Sequence, residues 1–400
     1  MKDHYQVLVV GGGTAGLTVA AQLRNQADPP EVAIIEPSEK HYYQPIWTLV
    51  GGGVFPREIS ERDEADFIPE GAVWIRDAVA SFDPEANTVA TRDGKTIGYD
   101  YLVVCPGIQI DWDKIPGLAE SLGSNGVCSN YSYETVPYTW ETLRHLKGGR
   151  AIFTQPATPI KCGGAPQKIM YLTADHLRLK GALDDTDVQF MSPGLVVFGV
   201  KEFERTLKKV IARYGITFNI QHELVEVRGD KGEAVFKVTA EDGSVSEKVL
   251  SFDMLHVTPP QSAPDFIKQS PLANAEGWVD VDPSTLQHNR YPNVFGLGDA
   301  GSTPNAKTGA AVRKQAPTVV QNLLQYMATG YIDDPVVYRG YSSCPLVTGY
   351  GKLVLAEFDY DNKPMPSFPF DTTQERYSMY ALKVYGLPQM YWHGMLRGRV

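Results

Sequence analysis

Residues 6–16 read QVLVVGGGTAG, and this stretch decides the fold. QVLVV is a short continuous apolar run, as a parallel strand covered on both faces requires. Gly11, Gly13 and Gly16 follow it as GxGxxG, with Thr14 and Ala15 ahead of the last glycine. Such a loop turns tightly and lets a pyrophosphate approach the free N–H groups at a helix N-terminus. The pattern predicts a helix from Thr14 to about Asn25 and a second strand, EVAIIE, ending at Glu36. Glu36 stands 20 residues after Gly16, where an acid can hold ribose hydroxyls. The unit predicts a bound dinucleotide, with NAD and FAD both open at this point.

The rest of the composition limits the partners. The 400 residues are 43% hydrophobic and 21% charged, a balance typical of folded globular chains. A net charge of −10 argues against nucleic acid as a partner. No run of about 18 apolar residues is present to span a bilayer. The first strand begins almost at once, so no leader peptide is expected. Four cysteines, with no CxxC or HExxH, predict neither a disulfide scaffold nor a metal site.

Beyond Glu36, HYYQPIWTLVGGG (residues 41–53) reads as an aromatic, cofactor-lining loop carrying Gln44. Hairpin-like stretches follow (VWIRDAVASFD, NTVATRDG), then a buried strand in YDYLVVCPG that ends in a turn at Cys105, Pro106 and Gly107. From about residue 118 a second βαβ series begins. Its helices are ETVPYTWETLRHL, QKIMYLTADHLRL and KEFERTLKKVIARYG; its strands are RAIFTQP, VQFMS and ITFNI. VEVRGD and AVFKVTAEDGS read as an antiparallel addition. NVFGLGDAG predicts a strand running into a loop, with a helix after it from about Gly309 to Met327. The expected class is α/β with two Rossmann-like domains. The FAD-binding domain would be discontinuous (1–117 and 290–340), the second domain 118–289, and a C-terminal segment 341–400. In that last segment Tyr377, Tyr380, Ala381 and Val384 recur at helical spacing, and Pro388 is expected to end the run.

GLGDAG resembles the second FAD signature of two-dinucleotide-domain flavoproteins, and LVVCPG resembles another piece of the same pattern. That resemblance implies FAD, with Gly298 beside it and Asp299 on the ribityl chain. NADH-linked members of the group carry another GxGxxG in the second unit. Here the position reads IFTQPATPIKCGGAPQK, where a cysteine and prolines interrupt the phosphate loop. The electron donor is therefore not expected to be NADH.

HYYQPIWTLVGGG, PIKCGGAPQKIMY, LHVTPP, YPNVFGLGDA, SCPLVTGYGKLVLAEFDY and MYWHGMLRG together resemble sulfide:quinone oxidoreductase, in the branch that includes the mitochondrial enzymes. The likeness covers almost the whole chain. It implies that Cys162 and Cys344 form a redox-active pair that sulfide attacks by thiol–disulfide exchange. Cys344 would then hold the persulfide and Cys162 would face the flavin. It further implies two-electron transfer through FAD to quinone, and release of sulfane sulfur to glutathione, coenzyme A, sulfite or a polysulfide. Lys168, Lys383 and, by a looser alignment, Glu120 match positions associated with the active site. Lys161 flanks Cys162, and Lys307 is a candidate partner for the flavin carbonyls. Cys128 falls near a third cysteine of other bacterial members and is a secondary candidate; Cys105 reads as a small residue packed beside the flavin.

The same resemblance places the protein peripherally on an energy-transducing membrane, the bacterial inner membrane ahead of the mitochondrial one, in monomeric or homo-oligomeric form. The Tyr/Met/Trp-rich tail suits an interface, with Phe368, Phe370, Tyr391 and Trp392 as candidate quinone-wall residues. Because the chain stops at MLRGRV, a soluble form is the alternative. Two competing functions are a type II NADH:quinone dehydrogenase and a flavin-bearing redox-sensing or binding module.

Overall fold

The computed structural model describes residues 2–400. Val7–Val10 form the centre of a seven-stranded sheet and are almost wholly buried. The strand His4–Val10 pairs in parallel with Val32–Ile35 on one side and Thr96–Val104 on the other. Val73–Ile75 extends the sheet beyond the second strand, and Val294–Gly296 returns from far along the chain to pair with Thr96–Val104. Val79–Asp83 and Thr88–Thr91 add an antiparallel hairpin. Continuous apolar runs fit the central positions because helices cover both faces of such a sheet.

A second sheet of five parallel strands runs in the order Val127–Cys128, Met254–His256, Gly149–Thr154, Thr186–Met191, Thr217–Asn219. Three helices matter for the site: α1 (Thr14–Arg24), α2 (Ala165–Lys180) and α3 (Gly309–Thr329). A hairpin of Ser342–Gly349 and Lys352–Phe358 shares a hydrophobic cluster with α2, through Cys344 and Leu346 on one side and Ile169 and Met170 on the other.

Three expectations change. The antiparallel addition has a third strand, Val245–Ser251, hidden from the sequence because nearly all its side chains are exposed and no apolar alternation marks it. The aromatic loop 41–53 is partly helical, with turns at Gln44–Ile46 and Trp47–Gly51, and Ile46, Trp47, Leu49 and Val50 are buried. The tail remains helical past Pro388. Wide π turns at Leu382–Gly386 and Met390–Gly394 flank a short turn, Leu387–Gln389, with Pro388 in its first positions. A proline near the start of a turn lacks an N–H that had no regular partner there, so the helix bends through instead of stopping.

Candidate active site

The glycine loop forms as its sequence requires. Gly11 has φ +102°, and a Cβ there would meet the Cys105 carbonyl oxygen at 2.6 Å. Gly13 begins α1 with no side-chain cap, and nothing lies within 4 Å of where its Cβ would be. The first-turn N–H groups at Thr14, Ala15 and Gly16 are thus left for a ligand. Glu36 accepts from the backbone N–H groups of Gly12 (2.7 Å) and Ser38 (2.8 Å), and burial holds its carboxyl above the ordinary range. Cys105 lies against this loop, its Sγ 3.8 Å from the Gly11 carbonyl oxygen, and burial raises its thiol far from reactivity. Pro106 also approaches Gly11, and Gly107 takes the positive φ of +82° that the turn needs.

On the other side, Gly298 has φ +72° and donates its N–H to Gln315 Oε1 at 2.9 Å. Burial raises the Asp299 carboxyl, opposed by Lys307 and Lys161. Burial brings both lysines down to about 8. Lys307 Nζ donates to the Gly301 carbonyl at 2.9 Å, and Lys161 Nζ to Gln44 Oε1 at 2.6 Å. An uncapped helix start, a buried acid at Glu36 beside the glycine loop, and a buried Asp299 with two lysines that can each lose their charge form a donor set that fits FAD.

Cys162 lies in the loop before α2 with a left-handed φ of +55°. Its N–H donates to the Lys307 carbonyl at 2.8 Å, tying it to the segment that leads into α3. Cys344 projects from the hairpin strand, and the two sulfurs stand 3.5 Å apart, both as free thiols. Lys168, one turn into α2, places Nζ 3.0 Å from Cys162 Sγ. The Cys344 thiol donating across the gap, then Lys168 and the more distant Lys383, hold the Cys162 thiol well below its ordinary value, against the effect of burial. Cys344 moves the opposite way: its hydrogen bond to Cys162, and then burial, raise it well above. The surroundings thus favour the thiolate at Cys162 and the proton at Cys344.

Lys383 enters from the tail, buried, with Nζ on the Pro45 carbonyl at 2.9 Å. Burial and the nearby Lys168 charge bring it down to about 7. Lys168 is itself penalised by burial, but the two cysteine sulfurs outweigh that and raise it.

Not every expected residue joins the cluster. Glu120 is exposed on the short helix Leu118–Ser121 and makes no hydrogen bond or ion pair among the described residues. Cys128 is fully buried in the second sheet, donates to the Leu255 carbonyl at 3.6 Å, and is pushed up to about 12 by burial. That thiol is inert. Phe368 and Phe370 stack half-buried at 5.2 Å in the segment before the tail. Tyr391 and Trp392 are instead buried against Tyr43 and Phe67, at 4.5 and 5.1 Å between ring centres. Their place in the core accounts for aromatic content that suggested an interface; Tyr377 and Tyr385 are the tail's exposed rings.

Two participants had no recognisable signal in the sequence. Tyr131 is buried with no hydrogen-bond partner for its hydroxyl among the described residues, and burial together with the Cys162 charge raises it well above its ordinary value. Gly164 sets the spacing of the pair, because a Cβ there would meet Cys344 Sγ at 2.7 Å and come closer still to the Leu346 side chain. Gly164→Ala should therefore overpack this contact and cost about 1–3 kcal/mol in denaturant unfolding. Stability equal to the parent's would show that the Leu346 and Cys344 side chains give way to the added methyl.

The model of the pyridine nucleotide-disulphide oxidoreductase family matches residues 5–137. A mitochondrial sulfide:quinone oxidoreductase of Dictyostelium discoideum is 48% identical over 100% of this chain and 87% of its own length. The enzyme of the same name from Mus musculus is 46% identical over 99% and 87%. The crystal structure of sulfide:quinone oxidoreductase from Aquifex aeolicus superposes with a TM-score of 0.83 at 20% identity, covering 100% of this chain and 92% of that one. The expected preference for a bacterial inner membrane is not borne out, since both curated relatives are named mitochondrial. Among the described residues no helix is long and apolar enough to cross a membrane.

Proposed function

The chain belongs to the family of FAD-dependent sulfide:quinone oxidoreductases, and from that premise we propose that Cys162 and Cys344 are the pair that takes sulfur from sulfide. The observation that carries the reading is the Lys168–Cys162–Cys344 line, with contacts of 3.0 and 3.5 Å. Closing the pair to a disulfide needs the sulfurs to approach by about 1.5 Å.

Hydrosulfide attacks one sulfur of the oxidised pair, and the other leaves with the electron pair of the S–S bond. A thiol of lower pKa leaves faster. Cys162, stabilised as thiolate beside Lys168, is the better leaving group, so attack falls on Cys344. The new S–S bond makes a persulfide on Cys344, and Cys162 becomes the thiolate. A nucleophile such as a thiol or sulfite then takes the outer sulfur, returning Cys344 to the thiol level. The two electrons gained by the pair must be removed before another turnover. FAD, when bound, supplies the two-electron carrier between the cysteines and quinone. Gly11, Gly13, Gly16, Glu36 and Asp299 would hold it. Lys168 keeps the leaving sulfur charged, and Lys383 adds a second cation that can lose its proton near neutral pH.

The test is an anaerobic titration of the FAD-loaded protein, first with sulfide and then with NADH. Sulfide should bleach the flavin absorbance, and a short-chain quinone should restore it. Bleaching by NADH with indifference to sulfide would overturn the reading in favour of an NADH dehydrogenase.

A further inference from the structure

The tail does more than deliver Lys383. Tyr391 is 3% exposed, and its hydroxyl lies 2.8 Å from Thr14 Oγ1, the first residue of α1. The same hydroxyl lies 2.5 Å from His41 Nε2, while His41 Nδ1 lies 2.9 Å from Glu64 Oε2. His41 and Glu64 are also almost wholly buried. Glu64 completes the circuit at the glycine loop: its Oε1 has no hydrogen-bond partner among the described residues and would stand 2.5 Å from a Cβ on Gly12, beside Glu36. The tail's last turn holds the opposite end of α1. Asn25 Nδ2 donates to the Arg397 carbonyl at 2.9 Å, and a Cβ on Gly398 would meet the Gln22 backbone nitrogen at 2.7 Å. The tail thus grips both ends of the helix whose N-terminus receives the pyrophosphate.

We propose that residues 377–398 are a strap for the dinucleotide, and that the Tyr391–His41–Glu64 chain is a set of positioning residues that orients Thr14 and the glycine loop toward FAD. Groups 377 positions apart in sequence meet here at a part-buried bond, and the His41 bonds behind it are buried, where an unpaired partner is costly. Linkage then makes the effect reciprocal. If the docked tail tightens FAD, bound FAD must favour the docked tail by the same factor.

The experiment uses full-length protein freed of FAD and titrated with FAD, followed by quenching of flavin fluorescence. Tyr391→Phe keeps the ring and removes the hydroxyl; it should weaken FAD about fivefold to tenfold. Glu64→Gln should weaken FAD in the parent and much less in Tyr391→Phe, because the two act through one chain. Asn25→Ala, at the exposed far end, should weaken FAD in the same direction if Tyr391→Phe folds poorly. Hydrogen exchange of residues 377–398 should slow when FAD is added to the parent, and slow less in Tyr391→Phe. FAD affinity within twofold of the parent's in all three variants, with tail exchange indifferent to FAD, would overturn the strap. So would an equal loss of stability with and without FAD, which marks a merely structural role. The inference rests on FAD as the cofactor; a parent that takes up no FAD overturns that reading and the strap together.

Discussion

Cys344→Ser should lower the rate of sulfide-dependent flavin reduction by about a thousandfold or more, equivalent to roughly 4 kcal/mol of transition-state stabilisation. A serine oxygen cannot form the S–S bond that sulfide attacks, so the covalent route is lost and not merely slowed. Cys162→Ser should do the same for a different reason, since it removes the leaving thiolate. The two variants differ in what remains. In Cys344→Ser the surviving Cys162 keeps Lys168 at its side but exchanges a thiol donor for a hydroxyl, so it should still react with iodoacetamide below the ordinary thiol range. In Cys162→Ser the surviving Cys344 loses the Cys162 contact that raises it most but stays buried, so it should alkylate more slowly than Cys162 does in Cys344→Ser. Both should bind FAD as the parent does, because neither residue belongs to the glycine loop or the Glu36 contacts. Stopped-flow reduction at several sulfide concentrations checks the rates. A rate within tenfold of the parent's in either variant would remove the pair from the reaction.

The parts legible in the sequence are those with a local physical signature. The loop at Gly11–Gly16 needs a strand before it and a helix after it, and Glu36 must follow at the end of the next strand; all of this lies within 36 residues. The interruption of the second phosphate loop at Cys162 is equally local. What the residues alone could not supply are meetings of distant segments. Cys344 reaches Cys162 across 182 positions, and Lys383 reaches Pro45 across 338. The family likeness supplied those residues, and the structure supplies their distances. Composition does not divide the tail's aromatics, because a buried Tyr or Trp and an exposed one look the same in it. Only the hydroxyl partners of Tyr391 and the rings around Trp392 separate the two cases. Pro388 misled because the proline rule presumes a regular i to i+4 ladder, and the wide turns at Leu382–Gly386 and Met390–Gly394 suspend it. Glu120 rested on a loose alignment alone, and its helix packs through Leu118 and Ser121, which leaves the Glu120 side chain on the exposed face.

Lys168→Met should move the pH dependence of the reaction, and the sign follows from the charges. Cys162 is held well below its ordinary value by the Cys344 thiol and by Lys168, which favours its thiolate in the parent. Removing the ammonium takes away a charge-assisted hydrogen bond of about 1.5–3 kcal/mol, which corresponds to roughly one to two pH units. The pH below which Cys162 becomes protonated therefore rises, and reduction by sulfide should fail at a pH where the parent still works. Lys383 should shift in the same direction, because burial and the Lys168 charge together hold it near 7 and one of those causes is gone. With Lys168 absent, Lys383 becomes the cation facing the pair and stays protonated to higher pH, so part of the lost stabilisation of Cys162 should return. The double variant Lys168→Met, Lys383→Met should then lose more than the sum of the two single losses. Lys168→Arg keeps the charge and should retain most of the parent profile. The measurement is the rate of anaerobic flavin reduction against pH, paired with iodoacetamide alkylation of Cys162 at each pH. An acid limb at the same pH in Lys168→Met and the parent would mean that Lys168 does not set the Cys162 thiolate. Its 3.0 Å contact would then serve to hold the loop before α2 in place and not the sulfur chemistry.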